Sequence, residues 1–427
     1  MKKISNYRWW IAVFLAFTTA FSYFDRQSFP VAVVEIQKHI PLTNQQYSEL
    51  QMLFLCAYSI MYAGGGRVAD RLGTRFGYFV MILWWSIATM LHGFVSSVFG
   101  LGMARFLLGI GEGGGFPCSA KAISEWFPQK ERSSAFGIFN AGSSIGAVLA
   151  PPIIALIALK LNWRWVFFFM GGLGALWSFV WLWLYDVPSR HRMITRDEQQ
   201  YIRANLAPGD VTTQGTIGWR MILSFPQMWA LCVTKFLTDA AWFFFIFWLP
   251  KYLADVRHLD IKQIGYFAWI PYLFAGIGSF VGGTFSSYLI KRKMTTGASR
   301  KFCLCISAAI MPIVILITRA PLSLAIVFFS MAFFGHQFWS AIIQTLPTDL
   351  FPSSSVGTAA GLMGAVGSFG AALANIGVGK LLGHYQSYSS VFLIAGLVYP
   401  ISLVLLFALI PKVYLLTSGV DRLKTAT

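Results

Sequence analysis

A helix needs about 20 consecutive apolar residues to cross the hydrocarbon core of a bilayer. This chain offers such stretches twelve times, over 9–34, 46–66, 76–97, 100–122, 133–157, 163–185, 222–250, 262–289, 302–318, 321–346, 355–381 and 387–410. Inside lipid every backbone N–H and C=O must find its partner within the segment, so the repeated pattern predicts an all-α membrane protein with twelve transmembrane helices. Composition agrees: 56% of the 427 residues are hydrophobic and 11% are charged, against roughly 25% charged in a soluble domain. The first stretch, MKKISNYRWWIAVFLAFTTA, starts as a signal peptide would. It ends in no small-residue cleavage site and continues into YFDR, so it is expected to stay as span 1.

Charge then sets orientation. The net charge is +17, yet long apolar runs separate the basic residues, so they form no stripe suited to nucleic acid. With both termini cytoplasmic, 22 of the 33 lysines and arginines fall on the cytoplasmic side, eight outside and three within spans. That bias is the positive-inside pattern of a multi-pass protein, whose basic face would attract anionic membrane lipid. The five cysteines (Cys56, Cys118, Cys232, Cys303, Cys305) lie in or beside apolar segments without metal-ligand spacing, and are expected to be free thiols.

The long polar stretch from Asp186 to Arg220 divides six spans from six, giving an N-terminal bundle over 1–186, a cytoplasmic linker over 187–220 and a C-terminal bundle with a short tail over 221–427. A shift of 224 residues aligns FPQKERSSAFGIFNAGSSIGAVLA at 127–150 with FPSSSVGTAAGLMGAVGSFGAALA at 351–374. Small residues alone would explain the shared glycines and alanines, but not the Phe-Pro at both entrances. Span 5 repeats as span 11, and two six-helix bundles related by a parallel repeat are expected.

One motif points elsewhere. Residues 109–114 read GIGEGG and fit the dinucleotide pattern G-x-G-x-x-G. That pattern holds a phosphate only between a strand and a helix N-terminus, and here it lies inside span 4. Its glycines are better suited to close helix approach. Arg105 and Glu112 of the same span are seven residues apart, on one face and about 10 Å from each other along the axis. A charge at a helix centre costs at least roughly 2.5–3.5 kcal/mol on insertion scales, so a retained pair is expected to face a polar interior.

After span 2 the sequence GRVADRLGTR sets Gly66, Asp70, Arg71, Gly73 and Arg75 in a G-x-x-x-D-R-x-G-x-R pattern, with a worn copy, GTFSSYLIKR, from Gly283 after span 8. With these motifs the chain resembles the major facilitator superfamily. YFDR on span 1 and RFLLGIGEGGGFP on span 4 resemble its anion:cation symporter family. KFLTDAAWFFFIFWLPKYL and GHQFWSAIIQTLPTDLFP are most similar to bacterial hexuronate transporters. The resemblance implies the major facilitator fold, a cytoplasmic gate at the five motif residues, and proton-coupled import of a sugar acid by alternating access.

The intramembrane ionisable set is Asp25, Arg26, Arg105, Glu112, Lys235 and Asp239, with His336 as a further titrating group. Three cations balance three carboxylates, so a monovalent anion entering a low-dielectric cavity leaves an excess charge that one proton removes. Arg26 and Arg105 are both candidates to bind a substrate carboxylate, because guanidinium binds it bidentately and stays charged. The resemblance selects Arg26 as the substrate residue, matches Asp25 and Glu112 to the family's proton carriers, and leaves Arg105 to orient Glu112 and the outer gate. Positions 25 and 26 point about 100° apart, so they take different roles. Tyr23, Tyr58 and Trp339 match family pocket positions and could stack on a sugar ring, with Gln337 and Gln344 as hydroxyl partners. Lys235 and Asp239, four apart beside Trp242, read either as a satisfied i,i+4 pair or as part of the substrate path. His336 is the repeat partner of Glu112 at the 224-residue shift and is a candidate substrate contact.

The expected partners are a small organic anion and protons, handled by a monomer, with no cofactor beyond the coupling proton and no metal. Alternatives are symport of another organic anion such as a hexonate or aldarate, or a transport-derived sensor. Span 5 ends in Ala150-Pro151-Pro152 rather than the G-P-x-x-G-G of drug antiporters, which counts against export. No nucleophile with its base suggests an intramembrane enzyme.

Overall fold

Apolar runs of spanning length fold as helices throughout the computed structural model, which describes residues 5–205, 219–351 and 353–413. Span 1 is Tyr7–Ile36. Spans 2 and 3 run together as Asn44–Phe94, with non-helical backbone at Gly73 (φ 75°, ψ 153°), a conformation that glycine adopts without penalty. Span 4 is divided into Val98–Gly113 and Gly115–Trp126, and spans 5 and 6 are Gln129–Lys160 and Trp163–Leu184. Span 7 is Pro226–Asp255, and span 8 joins Ile261–Phe267 to Trp269–Lys291. Span 9, Thr296–Ile310, continues as a 3₁₀ helix over Met311–Arg319. Spans 10, 11 and 12 are Leu322–Ile343, Ser353–Tyr385 and Ser389–Leu409.

Among the described residues, nine helical segments are long and apolar enough to cross a membrane on length and hydropathy alone. The remaining spans are 1, 2 and 4. Span 1 carries Asp25 and Arg26, and span 4 is split into helices of 16 and 12 residues. Spans 1 and 4 also carry the buried charged residues Arg26, Arg105 and Glu112.

The chain forms two compact units: Met1–Leu42, Glu49–Gln214 and Leu253–Trp269 make the first, and Thr43–Ser48, Gly215–Tyr252 and Ile270–Thr427 the second. In the first, a Cβ added at Gly142 or Gly146 of span 5 would strike the backbone of Ala16 or Ala20 in span 1. In the second, Gly370, equivalent to Gly146 under the sequence shift, meets the backbone of Phe236 in span 7. The repeat thus reuses one close crossing between the first and fifth helices of each unit. The second and fourth helices also cross closely, but the glycines change sides. Gly109 and Gly113 of span 4 lie against the backbone of Phe54 and Tyr58 in span 2, whereas Gly278 and Gly282 of span 8 lie against Phe334 and Phe338 of span 10. The G-x-G-x-x-G stretch is helical and holds neighbouring helices, with Gly111 against Trp85 of span 3.

At the N-terminal end of span 1 a linker helix, Arg196–Asn205, is tied to that span. Asn6 precedes span 1 in a left-handed conformation and gives no side-chain cap. Glu198 supplies it from the linker: its carboxylate accepts the N–H groups of Tyr7 (2.8 Å) and Arg8 (3.1 Å) and the Arg8 guanidinium (2.9 Å). Arg8 also reaches Glu131 at the start of span 5 (2.8 Å), where Tyr201 of the linker donates a further bond (3.0 Å). Residues 206–218 of the expected linker lie outside the described residues.

Glu198→Ala is expected to remove the cap and cost about 1–2 kcal/mol, read as a lower apparent melting temperature of the purified protein. An unchanged melt would deny the clamp its stabilising role. Hydrogen bonding from Arg8 holds the Glu131 carboxyl below its ordinary 4.5. The stability it adds is therefore complete above that value and lost as pH falls through the lower folded-state value.

Candidate functional site: a polar cavity and a second buried pair

Span 1 turns Thr19, Ser22, Tyr23 and Arg26 toward one side at helical spacing, and span 5 adds Asn140 and Ser143 one turn apart. With Thr18, Tyr58 and Glu112 they line a cavity of about 100 Å³ in the first unit. At its wall Arg26 donates from Nε to Glu112 Oε2 (2.9 Å), and its Nη2 lies 2.8 Å from the same oxygen in an ion pair. The Glu112 side chain is fully buried and that of Arg26 is 6% exposed. The rings of Tyr23 and Tyr58 flank the guanidinium with centroids 5.0 and 4.9 Å from Cζ, which fixes its plane and adds cation–π attraction. Such a pair can open in one economical way: a proton on Glu112 removes its charge and leaves a positioned guanidinium for another carboxylate.

The two other charged candidates of this unit do not line that cavity. Arg105 is fully buried, donates to Gln51, and lies over Phe54 (4.5 Å) and Phe29 (5.2 Å). Glu112 accepts a hydrogen bond from Arg26, and the Arg105 charge also acts on its carboxylate. Asp25 is buried and does not line the cavity. Its carboxylate faces Gly174 of span 6 and Thr89 of span 3. The 100° offset along span 1 therefore sends neighbouring charges to different surroundings.

In the second unit, Lys235 and Asp239 pair at 2.5 Å. The His336 ring lies flat on Trp242 (4.2 Å, 6°), and its Nδ1 is 2.5 Å from the Tyr399 hydroxyl. Trp339 meets Tyr399 edge-on at 5.6 Å. Gln344 donates to Ser340 at 2.7 Å, and Gln337 is half-buried. Tyr399 escaped the sequence reading because a lone tyrosine in an apolar span carries no pattern. Asn140 and Ser143 did carry one, a polar i,i+3 step in span 5.

The motif after span 2, expected to form a gate, is only partly visible, since Gly66 and Asp70 lie outside the residues whose side chains are described. Gly73 makes the turn and Arg71 is exposed. Arg75 caps the end of span 6, donating to the Leu182 carbonyl (2.6 and 3.1 Å) and to Asp186 (3.1 Å). A carboxylate not anticipated from sequence, Glu125, accepts from Thr74 (2.7 Å) and Tyr185 (2.6 Å). Its equivalent under the 224-residue shift is Asp349, which accepts from Arg300 at 3.0 Å. The shift itself could have located this acid.

Comparison with known proteins gives these features a context. The family model of the Major Facilitator Superfamily matches residues 15–375. The hexuronate transporter of Escherichia coli strain K12 is 33% identical over 369 residues, covering 85% of each chain. A probable galactarate/D-glucarate transporter of the same strain is 30% identical over 417 residues, covering 93% of this chain and 92% of that one. In fold, the chain is similar to the crystal structure of a bacterial homologue of the human lysosomal transporter Spinster, in an inward-facing and occupied conformation. The TM-score is 0.73 at 18% identity, covering 94% of this chain and 97% of that chain. Repeated six-helix bundles and the family match together make the chain a multi-pass membrane transporter of the major facilitator superfamily, and not an enzyme.

Proposed function

We propose that this transporter is a proton-coupled symporter that imports a sugar acid of the hexuronate class, glucuronate or galacturonate, by alternating access. The observation that carries the reading is the Arg26–Glu112 pair at a cavity wall, flanked by two tyrosine rings. Protonation of Glu112 would free Arg26 to bind the substrate carboxylate bidentately, with net charge in the cavity preserved. Tyr23 and Tyr58 would pack on the apolar face of the sugar, and the hydroxyl and amide groups of Thr19, Ser22, Asn140 and Ser143 suit a polyol. Asp25 would carry a proton at a separate, buried position. In the second unit Lys235, His336, Gln337 and Trp339 are the proposed substrate contacts. The hexuronate transporter relative supports this substrate class. The probable galactarate/D-glucarate transporter relative favours a second reading, an aldarate, with the same arginine. The proposed setting is a bacterial inner membrane with both termini cytoplasmic, and a monomer suffices.

The test is proton uptake induced by substrate in proteoliposomes across a panel of uronates, hexonates and aldarates. Uronates are expected to acidify the lumen most and to compete best. Neutral hexoses should compete poorly, because they leave a buried guanidinium unpaired. Equal competition by glucose and glucuronate at equal concentration would overturn the anion assignment, and uptake without proton movement would overturn coupling.

A further inference from the structure

The second unit contains a buried cation–carboxylate pair whose acid the substrate reading leaves without a task. Lys235 Nζ lies 2.5 Å from Asp239 Oδ1, with side chains 14% and 7% exposed. An exposed i,i+4 pair contributes a few tenths of a kcal/mol, whereas burying both charges costs several kcal/mol per ion before their attraction is counted. A structural staple in this place would be served as well by two apolar residues. Retaining the charges makes sense where one of them changes during the cycle.

Packing keeps the pair accessible to change. Span 11 presents Gly367 to it, and a Cβ there would collide with Asp239 Oδ2 and lie 2.7 Å from Lys235 Cγ. The charged and titratable groups that face the pair come from three helices. Span 7 supplies Lys235 and Asp239 themselves. Span 12 supplies Tyr399, whose hydroxyl reaches the Thr238 carbonyl (3.3 Å) and feels the Asp239 charge. Span 10 supplies His336, bonded to Tyr399 at 2.5 Å and within the field of Lys235. Asp239 is therefore next in sequence to a carbonyl that accepts from Tyr399, itself bonded to His336, so polar groups of spans 10 and 12 lie against this turn of span 7.

Resting on the proton-coupled reading above, we propose that Asp239 is a further proton-carrying carboxylate of the transport cycle. A proton adds to a carboxylate oxygen of Asp239, its charge is lost, and Lys235 remains an ammonium released from its partner. Departure of the proton restores the pair. The second unit thereby repeats the device of Arg26 and Glu112, with lysine for arginine and aspartate for glutamate.

The proton-to-substrate ratio tests this, obtained from reversal potentials of the purified full-length protein in proteoliposomes, with glucuronate as probe, or galactarate where that gives the larger uptake. Asp239→Asn and Asp239→Ser, a smaller uncharged side chain should the asparagine variant fold poorly, are compared with the unaltered chain. Both are expected to keep counterflow and to move one proton fewer per substrate. An unchanged ratio in a variant that retains counterflow makes the pair structural and overturns the proposal. So does loss of counterflow in both variants when they are correctly folded, because the pair then serves binding or packing. If the unaltered chain moves substrate without protons, the coupling reading itself falls and this proposal falls with it, an outcome visible before any variant is made.

Discussion

Arg26→Lys is expected to lower the kcat/KM of sugar-acid uptake by on the order of 100-fold, or about 2.7 kcal/mol of lost stabilisation. Charge is conserved in this change, so a smaller effect would follow if Arg26 served only as a point charge. The geometry asks for more. Nε and Nη2 converge on one Glu112 oxygen at 2.9 and 2.8 Å, and the guanidinium plane is held by Tyr23 and Tyr58 at 5.0 and 4.9 Å. An ammonium has no plane to stack and no fork to present to a carboxylate. It would keep an ion pair with Glu112 yet give up the directed second bond to substrate. Arg105→Lys provides the contrast, since Arg105 does not line this cavity, and its loss should act through folding and rate rather than through discrimination between uronate and neutral hexose. Uptake kinetics of the two variants, each checked for a monodisperse elution profile, decide the matter. Near-normal kinetics for Arg26→Lys would remove Arg26 from the substrate site.

How much of this was legible beforehand depended on whether a feature is local along the chain. Spans are local: an apolar run of sufficient length has to be helical in lipid, and the helices lie where hydropathy and punctuation set them, with ends displaced by a few residues. The single turn at Gly73 was legible as a motif glycine, but its positive φ was not. Pairing between spans is another matter. Sequence brought Arg105 and Glu112 to one face of span 4, and that proximity suggested a partnership. The partner that Glu112 bonds is Arg26, 86 residues away. Periodicity sees only one helix, whereas the choice between two arginines is made by how span 1 packs beside span 4. Span 1 approaches span 5 at Gly142 and Gly146, and no pattern in either helix alone encodes the side-chain heights that result. The same limit explains Glu198, which caps span 1 from a polar linker 190 residues away. It also explains Tyr399, whose role as the His336 partner exists only once spans 10 and 12 are packed. The repeat partly lifts the limit. Glu125 and Asp349 occupy equivalent positions and both accept side-chain bonds within their units, a correspondence that the 224-residue shift makes available without coordinates.

Glu112→Gln is expected to separate substrate exchange from proton-driven accumulation. Glutamine keeps the size and a carbonyl acceptor of the side chain but fixes it in an uncharged state that resembles the protonated acid. In the unaltered chain the Glu112 charge, fully buried, is answered by the Arg26 guanidinium, whose Nε donates to Oε2 and whose Nη2 lies 2.8 Å from it. An arginine so occupied competes with any incoming carboxylate. With glutamine opposite, Arg26 is no longer neutralised, so sugar acid should bind at least as well, and more tightly than in the unaltered chain at alkaline pH, where the native acid would be ionised. Loaded-carrier movement needs no proton release, so exchange of labelled for unlabelled substrate should continue within a few-fold of normal. The empty carrier is different: its return requires the proton to leave and the ion pair to re-form, because a lone guanidinium in a low-dielectric interior is costly. That step has no counterpart in the variant, and a proton gradient should drive no accumulation above equilibrium. Counterflow and gradient-driven uptake measured on the same folded preparation tell coupling from general damage. Accumulation equal to that of the unaltered chain would eliminate Glu112 as a coupling residue, and loss of binding itself would assign it to the substrate site or to the packing of spans 1 and 4.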